Sequence, residues 1–468
     1  MNSNSDFLKV RHLYNRMSFG YSLSDTDSVT FKSALKSISA TVDHLEHIKV
    51  TETGKMDREQ LKAMSPDERK QFRKGKQEEF RTLNGAWIKQ MCNGKDLLRE
   101  KMAFFWHGHF ACRNGIPVLM EDHVNVLREH ALDDFKTLLT EVTKSAAMLQ
   151  FLNNQQNRKM SPNENFAREL MELFTLGRGN YTEKDVKEAA RAFTGWGFNE
   201  DGEYEFRERQ HDFGEKTFLG KTGNWNGDDI ITIIIGQKQC AKFICKKIWR
   251  AFISDEEDDT AINILAEKYY QSGYNTSLLI QDIITSDWFY EEKYMGARIK
   301  SPIELLVPLI RDFKLEFVND AFLFNIQRIL GQVILYPPNV AGWPGGENWI
   351  DSSSLIYRMK LPRILLANAV SDVAPKDDGD VNGFEKMEKL TGKTERVRTN
   401  ASWKDIYSSL ENKNDTDLLL SVWMQLIAIP SMQPDQELLK KYSAVSGKEE
   451  QIKAIVLHIM TLPEYQLC

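Results

Sequence analysis

The chain has 468 residues, of which 41% are hydrophobic and 27% are charged, and its formal net charge is −6. This composition is typical of a folded globular protein and excludes an intrinsically disordered chain. The negative net charge provides no overall basic field, and no apolar run approaches the roughly 20 residues of a membrane-spanning helix. We therefore expect no nucleic-acid partner and no membrane span.

Cysteine usage and the first residues indicate the expected compartment. The chain begins MNSNSDFLKVRH, which lacks the apolar core of a signal peptide, so the sequence alone predicts a cytoplasmic protein. The five cysteines are an odd number and include no CxxC pair. This pattern argues against a disulfide framework and against a structural zinc site.

The N-terminal region is predicted to be helical. Residues 6–20 have the apolar spacing of a helix that ends at Gly20. We interpret Arg11 and His12 as a pair on its surface, with a place in a functional site as the alternative. Residues 50–82 alternate positive and negative charges with few apolar residues, which predicts a solvated helical insertion.

An apolar helix over residues 97–106 leads into His107 and His109. Side chains at positions i and i+2 point about 200° apart on an ideal helix. Both rings could therefore face one ion only if Gly108 ended the helix. Imidazole binds zinc, copper or iron and also carries protons near neutral pH. We name His107 and His109 as candidate metal ligands, with hydrogen-bonded core histidines as the alternative.

Residues 161–198 are predicted to form a two-helix hairpin. The S-x-x-E pattern at 161–164 predicts a capping box and a helix over 163–176. The T-x-x-D pattern at 182–185 predicts the cap of the second helix. Apolar spacing gives each helix a side that faces the core, so we expect the two helices to pack together.

The remaining side of this hairpin is polar. Spacings of three and four residues place the following side chains in neighbouring positions: Asn165, Arg168, Glu169 and Glu172 on the first helix, and Glu188, Arg191 and Thr194 on the second. Neighbouring carboxylates split their pKa values, which suits general acid–base catalysis or cation binding, and arginine can bind an anion. The alternative is an internal lattice of salt bridges.

Residues 202–222 predict a β-hairpin in which the alternating segment 204–207 pairs with the segment 217–219. His211 and Asp212 lie in its loop. A loop histidine beside an aspartate is a candidate for acid–base chemistry.

A loop rich in Trp and Pro follows at 336–350, YPPNVAGWPGGENWI. Aromatic and amide groups in such loops often contact a sugar or a peptide. We therefore expect substrate contacts from Asn339 and Trp343, together with Asn163 and Asn165 of the hairpin. The alternative is a loop that only fixes the packing of its neighbours.

The predicted architecture is mainly α, a multi-helical orthogonal bundle with a small β-hairpin insertion. The main helical domain spans 1–368 and includes both the charged insertion and the β-hairpin. Residues 369–400 are polar and are predicted to be a linker or an exposed loop. Residues 401–468 are predicted to form a C-terminal helical module.

Several of these segments resemble one known family. They are RHLYNRMSFG, LREKMAFFWHGHF, SPNENFARELMELFTLGRGNYTEKDVKEAARAFTGW, HDFGEKTFLGKTGNWNGDDII, YPPNVAGWPGGENWI and the terminal LPEYQ. In this order they are similar to the bacterial family of unknown function numbered eighteen hundred, over nearly the whole chain. The polar positions that match are His12, His107, His109, His130, Asn163, Asn165, Arg168, Glu169, Glu172, Arg191, His211 and Asp212.

The resemblance carries no established activity. It implies an exported protein, periplasmic or secreted, in contrast to the compartment that the N-terminus predicts. Members are often encoded beside a phosphatase-superfold-like family, which implies a partner protein of that kind.

The leading hypothesis is an enzyme with its site on the central hairpin, acting on a polymer or an anionic substrate. Glu169, Glu172, His211 and Asp212 would supply acid–base groups, and Arg168 and Arg191 would hold an anionic group. A divalent metal at the two histidines of the 97–109 segment is one version of this hypothesis. The alternatives are a non-catalytic binding or assembly protein that works with an exported enzyme, and a haem protein.

Overall fold

A computed structural model of the chain describes residues 2–24, 29–41, 45–52, 63–319, 321–369 and 398–468. Over these residues the fold is mainly helical, with short antiparallel strands, as predicted. The helices of the N-terminal half are α1 Asn2–Met17, α2 Phe31–Ile38, α3 Pro66–Asn93, α4 Leu97–His109, α5 Pro117–Glu129, α6 Phe135–Lys144, α7 Ala146–Phe151, α8 Asn165–Glu169 and α9 Glu183–Ala192.

The second half of the chain is helical as well. Its helices are α10 Gly227–Ile235, α11 Lys238–Phe252, α12 Asp259–Gln271, α13 Thr276–Ile284, α14 Pro302–Asp312, α15 Ala321–Leu330, α16 Ser352–Leu366, α17 Lys404–Leu410, α18 Asp415–Leu426, α19 Gln436–Ser443 and α20 Lys448–Met460. Side-chain caps explain many of the starts. Ser65, Asn226 and Ser301 each form a capping box with the residue three positions later.

The described residues also contain three two-stranded antiparallel sheets. The strands are β1 Trp196–Phe198, β2 Tyr204–Phe206, β3 Lys216–Phe218, β4 Lys221–Gly223, β5 Glu316–Phe317 and β6 Thr399–Asn400. The predicted pairing of segment 204–207 with segment 217–219 is wrong, because β2 pairs with β1 and β3 pairs with β4. A short turn joins β1 to β2 and β3 to β4, and a short turn closes at a smaller entropic cost than a long loop.

One connected hydrophobic core extends from Val10 to Tyr465. It includes apolar residues of the segment 401–468. That segment also contacts the rest of the chain through a bridge between Ile299 and Leu467, and β6, directly before it, pairs with β5. The predicted linker falls largely on residues 370–397, outside the described residues. The division into domains therefore stays a prediction.

One prediction for the N-terminal region is corrected. Arg11 and His12 are not a surface pair, since they are only 2% and 3% exposed. The reason is long-range packing, because the Arg11 guanidinium donates to the backbone carbonyls of Met424 and Ile427. Of the charged insertion at 50–82, residues 53–62 lie outside the described residues. Residues 66–79 form the start of α3 and are exposed or half-buried, and the buried residues of α3 begin at Phe80. The solvated insertion stays a prediction.

Candidate functional site

The start of the hairpin is set by asparagines. The capping box predicted at 161–164 is wrong, because α8 begins at Asn165 and Glu164 makes no capping hydrogen bond. The N–H of Asn165 donates to Oδ1 of Asn163 at 3.0 Å, and the N–H of Asn163 donates to Oδ1 of Asn157 at 2.9 Å. Such local bonds to asparagine side chains compete with helical hydrogen bonding, so they delay the start of the helix.

The first helix then widens into a π-helical turn. This π segment, Leu170–Thr175, follows α8 without a break. The N–H groups of Leu176 and Gly177 both donate to the carbonyl of Met171, at 2.9 and 3.0 Å. Isolated π turns inside helices are rare and occur frequently at functional sites. Here the turn begins directly after Glu169 and includes the second candidate carboxylate.

The predicted cap of the second helix is confirmed. Thr182 Oγ1 accepts the N–H of Asp185, and Asp185 Oδ2 accepts the N–H of Thr182 at 2.9 Å. The second carboxylate oxygen of Asp185 accepts the N–H of Leu219 at 2.8 Å. This contact attaches the small β insertion to the start of α9.

Glu169 and Glu172 lie three residues apart in contrasting environments. Glu172 accepts hydrogen bonds from Arg178 Nε at 3.0 Å and from Tyr181 Oη at 2.9 Å, and the Arg178 guanidinium lowers the pKa of Glu172. Glu169 is partly buried and makes no hydrogen bond or ion pair within the described residues. Burial, and then repulsion from Glu172, raises the pKa of Glu169. The two environments therefore shift the pKa values of the two carboxyl groups in opposite directions.

Arg168 joins the two helices of the hairpin. Its guanidinium donates to both carboxylate oxygens of Glu183, at 2.7 and 2.8 Å, and to Glu164 at 3.1 Å. The bidentate contact with Glu183 raises the pKa of Arg168, so the guanidinium is charged throughout the physiological range. These contacts fix the position of the Arg168 guanidinium, and Arg168 directly precedes Glu169 in the chain.

Arg191, His211 and Asp212 form a separate cluster. Arg191 Nε donates to Asp212 at 2.7 Å, and Arg191 Nη1 contacts Glu188 at 3.0 Å. The Arg191 guanidinium lowers the pKa of Asp212. His211 is buried, its Nδ1 lies 2.8 Å from the carbonyl oxygen of Thr194, and burial lowers its pKa.

These two clusters occupy opposite ends of α9. Glu183, the partner of Arg168, begins the helix, and Arg191 lies eight residues later, a rise of about 12 Å. Among the described residues, no hydrogen bond or ion pair connects the two clusters. The structure thus brings Arg168 together with the two hairpin glutamates, and it brings Arg191 together with His211 and Asp212.

His107 and His109 are held by different parts of the chain. Nε2 of His107 accepts the N–H of Leu335 at 3.0 Å, whereas Nε2 of His109 lies 3.0 Å from the carbonyl oxygen of Phe174. Burial lowers the pKa of each to about 3. Gly108 does not end α4, which continues to His109. Within the described ranges no group of three or more His, Cys, Asp or Glu could hold a metal ion, so the arrangement gives the metal version no support.

The four predicted substrate-binding residues divide between two places. Asn163 and Asn165 make structural hydrogen bonds at the start of α8, and Asn165 Nδ2 also donates to the carbonyl of Leu152 at 3.2 Å. Asn339 is exposed, and its Oδ1 accepts the N–H of Ala341. Trp343 packs against His107, with ring centroids 5.3 Å apart. The Trp/Pro loop therefore contacts α4, and among the described residues no hydrogen bond or ion pair joins it to the glutamate pair.

A scan against protein-family models matches residues 12–467 to the family described as "Protein of unknown function (DUF1800)". The chain belongs to the DUF1800 family. This result confirms the resemblance inferred from the sequence motifs. Neither the search of curated proteins nor that of solved structures found a match. In the described part of the chain, no helix combines the length and apolar character needed to cross a membrane.

Sequence reasoning missed the side chains that distinguish the two glutamates of this DUF1800 chain. Arg178 and Tyr181 lie in the turn between the π segment and α9, in the motif GRGNY. Gly177 and Gly179 have φ values of +80° and +88°, which turn the chain back toward Glu172. Gly177 and Gly179 could have predicted this contact from the sequence, because such a pair indicates a tight turn that brings later side chains back onto the helix.

Proposed function

We propose that the protein is an enzyme that transfers a proton at the Glu169–Glu172 pair of the central hairpin. One observation carries the proposal: two neighbouring carboxyl groups whose environments shift their pKa values in opposite directions. Pairs of this kind supply an acid and a base at the same pH. Glu169 would be the protonated member and general acid, and Glu172 would be its ionised partner.

Two arginines next to this pair suit an anionic or polymeric substrate. Arg168 is fixed by its carboxylate partners, whereas the side chain of Arg178 is 86% exposed and contacts Glu172 from the solvent side. A guanidinium in that position would bind an anionic group of a substrate lying over the pair. Hydrolysis, with Glu169 protonating the leaving group, is the reaction class that we propose. No step of this proposal involves a metal.

A second candidate function is non-catalytic assembly. It is supported by three exposed hydrophobic side chains close to the Arg191–Asp212 cluster: Met160, Phe206 and Phe213, which are 88%, 42% and 53% exposed. Both phenylalanine rings contact His211. Met160 is held close to them, because the N–H of the preceding residue, Lys159, donates to the carbonyl of Gln210. Exposed apolar groups around a fixed polar cluster are typical of a protein–protein contact. The partner would be the phosphatase-superfold-like protein that the family resemblance implies.

The acid–base proposal is tested by turnover and by titration. A panel of chromogenic esters, phosphoesters and glycosides, together with bacterial envelope polysaccharides, is offered to the wild type, to Glu169→Gln and to the exposed control Glu141→Gln. We expect Glu169→Gln to lower kcat by roughly 10²–10⁴-fold, the usual contribution of a general acid. The control should retain wild-type rates.

Titration of the glutamate side chains by ¹³C NMR provides a test that needs no substrate. The carboxyl resonance lost in Glu169→Gln should titrate above the ordinary glutamate value of about 4.3, and that lost in Glu172→Gln should titrate below it. The proposal is refuted if both titrate together near the ordinary value. Unchanged turnover in Glu169→Gln would equally remove Glu169 as the acid.

A further inference from the structure

Six basic side chains from separate parts of the chain cluster near the start of α14, and five of them interact with one glutamate there, Glu304. We call them the internal basic cluster: Arg11, Arg16, Lys101, Arg298, Lys300 and Arg358. They come from α1, α4, the segment before α14, and α16. Four of them are nearly inaccessible to solvent, with exposed fractions of 2% for Arg11, 0% for Arg16, 3% for Lys101 and 0% for Arg358.

The negative groups near this cluster are fewer than the positive ones. Glu304 Oε1 contacts Lys101 Nζ at 2.5 Å and Arg298 Nη1 at 3.7 Å, while its Oε2 accepts the N–H of Ser301. Asp255 and Cys468 are the other groups that exert an attractive effect on Arg16 and Arg298. The attraction on these six basic side chains thus comes chiefly from two carboxylates, Glu304 and Asp255, and from Cys468. An excess of buried positive charge is strongly unfavourable unless an anion compensates it.

Several N–H groups of the cluster have no hydrogen-bond partner within the described residues. They are Nε of Arg11, Nε of Arg16, Nε and Nη1 of Arg298, and Nη1 of Arg358. Other nitrogens of these guanidinium groups are firmly held, since Arg16 donates to the carbonyl of Tyr294 and Arg358 donates to Gln466 and to the carbonyl of Lys300. The guanidinium groups are therefore fixed in position while part of their donor capacity is unused.

We propose that the internal basic cluster binds a phosphate group, either as inorganic phosphate or as the phosphate of a monoester. A doubly charged tetrahedral anion matches the charge excess better than a single carboxylate does, and it offers several acceptors to the guanidinium N–H groups. Access is from the side of Arg298 and Lys300, because Arg298 is 12% exposed and Lys300 is partly exposed. The site is distinct from the hairpin carboxylates and does not depend on the proposed acid–base function.

The lowered pKa of Lys300 also supports a phosphate site in this cluster. Burial, together with repulsion from Arg358 and Arg11, lowers its pKa to about 8, although Cys468 and Glu304 act in the opposite direction. Its ammonium donates to the carbonyl of Tyr465 at 2.7 Å and lies 4.0 Å from the centroid of that ring. A phosphate bound nearby would relieve the repulsion and raise the pKa of Lys300.

The test is a titration of the full chain, in chloride buffer at constant ionic strength, with inorganic phosphate, glycerol 3-phosphate and acetate. Isothermal calorimetry and ³¹P NMR line widths measure binding. We expect saturable one-to-one binding of a phosphate compound and at least tenfold weaker binding of acetate. Arg298→Gln should weaken phosphate binding at least tenfold. The control Lys293→Gln, whose side chain is 58% exposed, should bind as the wild type does.

Comparison of inorganic phosphate with glycerol 3-phosphate identifies the form of the ligand. Tighter binding of glycerol 3-phosphate indicates a monoester, and tighter binding of inorganic phosphate indicates the free ion. No saturable binding of either compound would overturn the proposal. Equal binding by Arg298→Gln and the wild type would do so as well.

Thermal unfolding separates a binding site from a purely structural lattice, even where a variant folds less well. If the cluster holds a phosphate, Arg298→Gln should lose the increase in melting temperature that phosphate gives the wild type, whatever its own melting temperature in chloride. A lower melting temperature in chloride with an undiminished response to phosphate contradicts the proposal.

Discussion

Glu304 is the acidic side chain on which the internal basic cluster depends, and Glu304→Gln isolates the effect of its charge. Glutamine has the same shape and retains an oxygen that accepts the N–H of Ser301. Burial alone would raise the pKa of Glu304, but the charges of Lys101 and Arg298 outweigh it and hold that pKa well below the ordinary range. The charge that the substitution removes is therefore present at neutral pH.

The expected destabilisation follows from the burial of both partners. The side chains of Lys101 and Glu304 are 3% and 8% exposed, so solvent screens their contact little. Removing one partner of such a buried ion pair costs about 3–5 kcal/mol of unfolding free energy. Lys101→Met should cost less, about 1–2 kcal/mol, because Glu304 keeps Arg298 as a counterion and the total positive charge falls.

Urea unfolding at pH 7, followed by tryptophan fluorescence, measures both effects, and comparison of midpoints is valid where the slopes agree. The matched pair of variants tests the charge imbalance rather than the contact itself, since both substitutions break the same ion pair. If Lys101→Met proved as destabilising as Glu304→Gln, the inferred excess of positive charge would be incorrect.

Two further predictions concern histidines and a glycine. His107 and His109 have pKa values of about 3 in the fold, below the ordinary histidine value, so their stabilising effect is complete above about pH 6.5 and is lost as the pH falls toward 3. Urea unfolding at pH 7, 6 and 5 measures how the unfolding free energy depends on pH. His109→Gln should reduce the slope of this dependence by about 1.4 kcal/mol per pH unit. An unchanged slope would mean that His109 titrates normally. Gly342→Ala places a Cβ 2.4 Å from the carbonyl oxygen of Gly108 at a φ of +81°, whereas Gly179→Ala has a φ of +88° and open space. The control, Gly179→Ala, should lose about 1–2 kcal/mol of unfolding free energy from its backbone conformation alone. Gly342→Ala should lose clearly more, as measured by thermal or urea unfolding. Equal losses would show that the loop moves away from α4 without resistance.

Local patterns predicted the type of most elements, because their causes lie within a few residues. The cap at Thr182 and the apolar faces of the helices follow from side chains three or four positions apart. Where two local signals competed, the prediction failed. At the start of α8, Ser161 and Asn163 both offer a capping oxygen, and the asparagine sets the boundary.

The sequence by itself determined the mainly helical class, the central hairpin and the presence of Glu169 and Glu172 near each other. Only the tertiary structure decided how these two carboxyl groups differ, because the difference depends on a turn that brings Arg178 and Tyr181 back to one of them. It also decided that Arg11, predicted to lie on the surface, is buried with cations from segments hundreds of residues away. Charge balance in a protein interior depends on distances through space, and side chains so far apart in the chain leave no periodic signal in the sequence.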